Sequence, residues 1–464
     1  MAISPVAFAV SHWADDPWSR GSWSLIGRHG SPADRVTLGS PIGSRLRIAG
    51  EATHPTRAGM THGAYEQGLA AADWAADLGH ARVGVVGAGM AGLAAARRLR
   101  ERGVEVQVWE ARDRIGGRAT GVEVGGFTFD LGANWLQQYD QNVLARVAEE
   151  IGLTVVATDF TDPLVYGVAD TPPEPSPRTA VASGGVEDEP SVTAAAGSGG
   201  VWDGPSVTAG AVSGGVGDGL WARSGGVVPR SDTAPGGLDE ELRARLGRAS
   251  EGASAADVLN DWLLDPGPWS SEEIRRVFDA EVVMDSGVPL SWLSARHGFE
   301  PGVGEGDRWI VGSYRRLTGH LAAGLDIRLR SAVRRVEVGD AVRLMGDAGT
   351  LQVDAAIVTV PVSVLAAGLE FDPPLPAEHR TALGRLGMGR VEKVILRFDE
   401  RFWPVHKSGY FRFHGPEDGS VSEWLDATDA DGTPTLVGLF AGPWLDRLWV
   451  GTDAEIAARV SRLI

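Results

Sequence analysis

The sequence predicts an α/β fold in which a parallel, doubly wound sheet is joined to a second, α+β domain. Three observations carry that prediction. A short apolar strand, Arg82 to Val86, runs into the turn Gly87-Ala88-Gly89-Met90-Ala91-Gly92 and then into a helix. A second strand, Val104 to Trp109, closes on an acid, Glu110, about 20 residues past the turn. Two glycines and an arginine follow, Gly116-Gly117-Arg118, and further on comes Asp130-Leu-Gly132-Ala133-Asn134-Trp135.

Each element has a physical reason. Gly87 suits a tight turn, Gly89 lets a pyrophosphate approach the backbone, and Gly92 lets the helix pack close to the strand. Free N–H groups and the helix dipole then favour negative charge at the helix start. A carboxylate at Glu110 can accept both hydroxyl protons of a ribose and repels a phosphate on it. This is a dinucleotide-binding unit of Rossmann type.

Bulk properties bound the rest. With 464 residues the chain can hold two domains with substantial cores. No run of about 18 apolar residues is present to span a bilayer. The run Val6 to Val10 lacks a basic flank and is followed by Asp15 and Asp16, so it does not read as a secretory signal, and a cytoplasmic protein is expected. A net charge of −18 disfavours nucleic acid and anionic membranes as partners. There is no cysteine, which excludes disulfides, thiolate metal sites and a thioether link to a cofactor.

The run Glu110-Ala111-Arg112-Asp-Arg-Ile-Gly116-Gly117-Arg118, together with Gly132-Ala133-Asn134-Trp135, resembles the flavin-dependent amine oxidase family, which includes the monoamine and polyamine oxidases. The resemblance implies bound FAD. It assigns the dinucleotide to Gly87, Gly89, Ala91, Gly92, Glu110, Ala111 and Arg112, its pyrophosphate to Gly117 and Arg118, and the flavin to Gly132, Ala133, Asn134 and Trp135. Val333 then meets adenine through its backbone, Trp13 packs along the flavin, and Gly50 and Glu51 lie near the ribityl chain.

The order of segments is unexpected. Residues 1 to 78, with Trp13, Trp23, Gly50-Glu51 and Gly59-Met60-Thr61-His62-Gly63, resemble the C-terminal part of the same family, and the segment from Leu436 to Ile464 resembles what normally precedes it. The chain thus reads as circularly permuted, which surface termini tolerate. The expected FAD-binding domain is 39–135 with 307–364. The expected substrate domain is 1–38, 136–171, 238–306 and 365–464. Between 172 and 237, Ser-Gly-Gly-Val recurs at Ser183, Ser198, Ser213 and Ser224, which reads as a flexible low-complexity insertion, with a β-solenoid-like arm as the alternative.

Helices are expected over Asn142 to Ile151, Leu238 to Leu246, Ala255 to Leu264 and Ser271 to Met284, the last capped by Ser270 or Ser271. Thr452 and Glu455 form a capping-box pattern for a terminal helix. From Leu365 onward an alternating apolar pattern predicts the second sheet.

The resemblance implies hydride removal from a C–H beside nitrogen, with a small-molecule amine as substrate and O2 as acceptor, giving hydrogen peroxide. Two facing rings usually align the amine; here those positions are Trp23 and Met60, half aromatic and half thioether. Gln137 stands where plant polyamine oxidases carry a glutamate, which argues against spermine-like polycations. Ser22 replaces the cysteine that bonds flavin in monoamine oxidases, so noncovalent FAD is expected. The family's lysine beside the flavin is sought in Pro361 to Pro374, which holds none, so slow reoxidation is expected. Alternatives are a C–C desaturase on the same FAD fold and a catalytically impaired flavin-binding protein. Oligomeric state is left open, a homodimer included.

Overall fold

The computed structural model describes residues 4–158, 163–167, 230–231, 237–298, 306–415 and 417–464. The repeat-bearing insertion expected at 172–237 therefore lies almost wholly outside the described residues.

Two sheets position everything else. The first is five-stranded and parallel, in the order Asp326–Arg328, Glu105–Trp109, Arg82–Val86, Ala355–Val358, Leu46–Ile48. Its central strands are apolar on both faces, because helices cover both. Val83, Val85, Ala355 and Ile357 are all buried. Helix Met90–Glu101 follows the glycine turn and packs Leu93, Ala95, Ala96 and Leu99 inward. Helix Thr61–Asp77 lies in the same core through Ala64, Ala71, Ala72 and Ala75 and stops where Gly79 takes a φ of +77°. In a doubly wound sheet of order 3-2-1-4-5 the fifth strand ordinarily comes last; here it is Leu46–Ile48, the first of the five in the chain.

The second sheet runs Ala7–Val10, Val391–Arg397, Thr435–Ala441, Val421–Asp426, Tyr410–His414, Leu164–Gly167, Arg230–Ser231. It is antiparallel except where Leu164–Gly167 runs parallel to Tyr410–His414. The N-terminal strand docks on its edge, Ala7 opposite Arg397 and Val10 opposite Val394. One face packs Phe8, Val394, Leu396, Trp424 and Phe440 against Ile456 and Val460 of helix Asp453–Val460, whose start carries the Thr452–Glu455 capping box. That cap is worth about 1 kcal/mol.

Three sequence expectations change. Val391–Arg397 is buried on both faces and does not alternate in and out, because the cavity face is roofed by helices. The strand Gly349–Val353 was not anticipated and completes a four-stranded sheet with Val342–Gly346, Val333–Val338 and Glu370–Asp372. The helix expected from Ser271 to Met284 is α-helical only to Phe278; Asp279–Val283 forms a π turn and Met284–Ser286 a last helical turn ending at Gly287, φ +62°. Ser270 caps its start, as expected, in a capping box with Glu273.

Candidate active site

A continuous cavity of about 1460 Å³ lies between the C-terminal ends of the parallel strands and the open face of the second sheet. It exceeds the roughly 300–1,000 Å³ of ordinary ligand pockets, leaving room for a dinucleotide and a substrate together.

The nucleotide half is built largely from backbone. Gly87 has a φ of +101°, and a Cβ on Gly92 would fall 1.9 Å from Gly87 O, so the turn tolerates no side chain there. Gly92 is thus a packing residue and does not itself line the cavity, whereas Gly87, Gly89 and Ala91 do. Glu110 is buried, and its carboxylate accepts the Ala88 N–H at 2.6 Å and the Arg112 N–H at 2.9 Å. Both oxygens keep lone pairs for further donors. Ala111, Arg112, Gly117, Arg118 and Val333 line the same crevice. Arg112 pairs with Asp16 and donates to Ser19 Oγ at 2.7 Å, while Arg118 donates to Glu51 Oε1 at 2.9 Å and Ser22 O at 2.9 Å. Both arginines are therefore held in place by residues of the N-terminal segment.

Glu51 is the hub of that clamp. It accepts from Ser24 Oγ at 2.6 Å and the Gly59 N–H at 2.8 Å in addition to Arg118. Burial alone would raise its carboxyl, but Arg118, then Ser24, Arg35 and the Gly59 N–H reverse this and leave it below the usual range. Trp13 is buried and donates to Leu131 O at 3.1 Å, beside Gly132, where a Cβ would fall 1.7 Å from Arg118 O. Gly50 lines the cavity next to Glu51.

The cavity continues past Gly132, Ala133, Asn134 and Trp135 into a chamber lined by Trp23, Met60, Thr61 and Gln137. Met60 stands at the N-cap of helix Thr61–Asp77, so that helix start faces the cavity. The Trp23 ring packs against Gly59, beside Met60, and its Nε1 donates to Asp285 O at 3.0 Å. Gln137 turns toward the cavity while its carbonyl accepts from Asn142 Nδ2 at 2.7 Å. Ser22 Oγ is buried at the cavity wall and has no hydrogen-bond partner among the described residues.

The expectation that no lysine serves this site is wrong. Lys393, from the strand Val391–Arg397, reaches the cavity wall and donates to Gly132 O at 2.5 Å, Asn134 Oδ1 at 2.8 Å and Asp130 O at 3.2 Å, with its ammonium 5.6 Å from the centroid of the Trp135 ring. The lysine comes from the strand after the stretch searched, so its absence from Pro361 to Pro374 had no bearing. The available signal was one of the chain's two lysines set inside a strand-like run, Val391 to Arg397. Burial pushes Lys393 down from the usual lysine range, against the pull of Asp130. Asp130 is itself raised by burial, opposed by hydrogen bonds from Ser313 Oγ at 2.5 Å and the Tyr314 N–H at 3.0 Å.

Register places further charged residues that sequence reasoning missed. Lys393 pairs with Leu439, Leu439 with Glu423, Glu423 with Arg412 and Arg412 with Val165, so all five share the cavity face in one transverse row. At 4.7–4.9 Å per strand, Arg412 stands about 14 Å from Lys393 along the row. Arg412 donates to Glu423 at 3.0 Å and lies 3.6 Å from Glu281 on the π turn. His414, two residues along the same strand, is buried with Nδ1 unpartnered, and burial with Arg412 and Arg276 nearby pushes it down to about 3.

This cradle fits FAD. The glycine turn leaves backbone space for a pyrophosphate, the buried Glu110 offers ribose acceptors, and the orphaned Ser22 hydroxyl awaits a polar partner. The profile of the family described as "Flavin containing amine oxidoreductase" matches residues 2–75, 90–198 and 228–464. A protein described as probable polyamine oxidase 4 of Arabidopsis thaliana is 30% identical over 371 residues, covering 77% of this chain and 66% of its own length. The chain thus spans just under two thirds of that relative. Among solved structures, a putrescine oxidase bound to putrescine aligns with a TM-score of 0.55 at 21% identity, over 82% of this chain and 81% of the other. Cyclohexylamine oxidase from Brevibacterium oxydans IH-35A aligns with a TM-score of 0.57 at 21% identity, over 82% and 80%. At such identity these two establish the fold alone. The chain belongs to the flavin-containing amine oxidoreductase family.

Proposed function

We propose that the protein is an FAD-dependent amine oxidase that converts a C–N bond of a small amine to an imine, with O2 as acceptor and hydrogen peroxide as product. The observation that carries this reading is the merging of two half-sites in one cavity. A dinucleotide crevice around Glu110 opens directly into a chamber bearing Trp23, Met60, Gln137 and Lys393. FAD would be held by the glycine turn, Glu110, Arg118 and the Gly132–Trp135 segment, and when bound it supplies a two-electron acceptor. Trp23 and Met60 would flank the amine and shield it from water. Lys393 would hold a positive charge beside the Gly132–Trp135 segment and assist reoxidation. With Ser22 in place of a cysteine and no cysteine in the chain, FAD is bound without a covalent link.

The relatives named for polyamines and putrescine, together with the acids Glu281, Asp285 and Glu423 in the chamber, outweigh the argument from Gln137 against a second cationic group. The test is direct. Acid precipitation of purified protein should leave the yellow colour in the supernatant, and an amine such as putrescine or cyclohexylamine should bleach it without air. Colourless protein that stays colourless with added FAD rules the reading out; oxidation without ammonia or amine release would favour a C–C desaturase.

We further infer that the segment order is permuted relative to other members. Support comes from Leu46–Ile48, which fills the fifth position of the parallel sheet while preceding the other four, and from helix Thr61–Asp77, which leads through Gly79 into the first strand. A chain reopened at Gly79, with a linker joining residue 464 to residue 1, should fold and retain FAD; aggregation of every linker length would count against this.

A further inference from the structure

We propose that Asp285 is a catalytic base that takes the proton from the substrate's ammonium, so that the amine meets the oxidising site with its lone pair free. The proposal rests on the amine-oxidase reading above and names a residue for it.

Position comes first. The π turn Asp279–Val283 and the helical turn Met284–Ser286 cross the open face of the second sheet toward the strand that bears Lys393. Glu281 lies over Arg412, and Met284 packs on Val391, Val421 and Ala441, with Trp23 and Leu439 against the same cluster. Asp285 is exposed between a buried Met284 and a buried Ser286, and what it is exposed to is the cavity. Its carbonyl receives the Trp23 indole N–H at 3.0 Å, which ties it to the ring expected to flank the amine.

Chemistry follows from its partners. No described residue hydrogen-bonds to the Asp285 carboxylate or forms an ion pair with it. The groups that face it are Glu281 on its own segment and Glu423 and Arg412 on the sheet. The Arg412 guanidinium is already shared between Glu423 and Glu281, and the Lys393 ammonium is turned to Gly132 and Asn134. Asp285 is thus left unmatched in a chamber open to a cationic ligand. Although it opens on the cavity, desolvation by the surrounding protein, then Glu281 and Glu423, raise its carboxyl above the usual range. A stronger base makes proton transfer from an ammonium, ordinarily near pH 10, less uphill. In the step an N–H bond breaks, an O–H bond forms on Asp285, and the electron pair stays on nitrogen.

The test uses FAD-loaded protein, its D285N and D285E variants, and two kinds of amine. Putrescine and cyclohexylamine report the rate of anaerobic bleaching, and 1-methylcyclohexylamine, which has no C–H beside nitrogen, reports binding alone by calorimetry. D285N should bleach at least tenfold more slowly at pH 7, with the deficit closing toward pH 10 as free amine becomes abundant. It should also bind 1-methylcyclohexylamine about tenfold more weakly at pH 7, and D285E should recover most of both. Bleaching and binding by D285N within twofold of the parent at every pH, with FAD content unchanged, overturns the proposal. If the parent protein itself is bleached by neither amine, the amine-oxidase reading has failed instead.

Discussion

The nucleotide crevice and the amine chamber share one cavity but treat charge in opposite ways. In the crevice every acid and guanidinium described above is answered: Glu110 by two backbone N–H groups, Arg112 by Asp16 and Ser19, and Glu51 by Arg118, Ser24 and Gly59. In the chamber, among the described residues, the Asp285 carboxylate has no partner, His414 Nδ1 has none, and Lys393 is held by neutral oxygens only. Satisfied charges hold a cofactor in one geometry, whereas unsatisfied ones sit at shifted pKa values and can exchange protons with a ligand.

Four experiments would break or sharpen that contrast. The largest effect is expected for Gly132→Ala, whose Cβ would lie 1.7 Å from Arg118 O and force the two cofactor-facing segments apart. Purified protein should lose FAD entirely, read from the ratio of flavin to protein absorbance. Next, Lys393→Met should leave FAD content intact but slow reoxidation of the amine-reduced protein in air roughly 10²-fold, the scale of one lost preorganised charge. Because burial holds Lys393 below the usual lysine range, the parent's advantage should shrink as pH rises and the ammonium loses its proton. A stopped-flow series across pH decides it.

A smaller, thermodynamic effect is expected for Glu51→Gln. A buried pair broken on one side costs roughly 3–5 kcal/mol, reduced here to about 2 because a quarter of the Arg118 side chain meets solvent. The folded Glu51 carboxyl lies below its unfolded value, so this stability is present above about pH 4 and disappears as pH falls through the folded value. Denaturant melts at pH 7 and pH 3 should show the gap and then its loss. Asp285→Asn should act in the other direction. Its folded pKa is raised, so the parent loses stability as pH climbs from the unfolded value of about 4 toward the folded one; the variant should melt roughly 2 °C higher at pH 8 and at the same temperature near pH 3. Equal melting at both pH values would mean that the carboxylate is better matched than its surroundings imply.

The same contrast explains what could be read from the sequence. The crevice was legible because its demands are local: a turn that excludes Cβ atoms at Gly87 and Gly92, and an acid one strand later at Glu110, lie within thirty consecutive residues. Trp13, Trp23, Gly50, Glu51 and Met60 were placed by resemblance, and the structure brings all of them to the cavity wall. Lys393 was missed because its place depends on cross-strand register with Leu439 and on the approach of a segment some 260 positions earlier. Asp285 was hidden for a different reason. Ser271 to Met284 reads as one α-helix by periodicity, and nothing local announces the π turn that changes which side chains face inward.

That π turn makes the chamber sensitive to a single codon. A π turn accommodates one residue more than the α-helix it interrupts, and each residue of an α-helix advances it by about 100°. Rewinding Asp279 to Val283 as regular α-helix with every residue kept would advance the next turn by about that angle and swing the carboxylate at Asp285 off the cavity wall, without touching the crevice. A substitution there that favoured regular winding would separate two lineages that hold the same dinucleotide yet differ in whether they can discharge a protonated ligand.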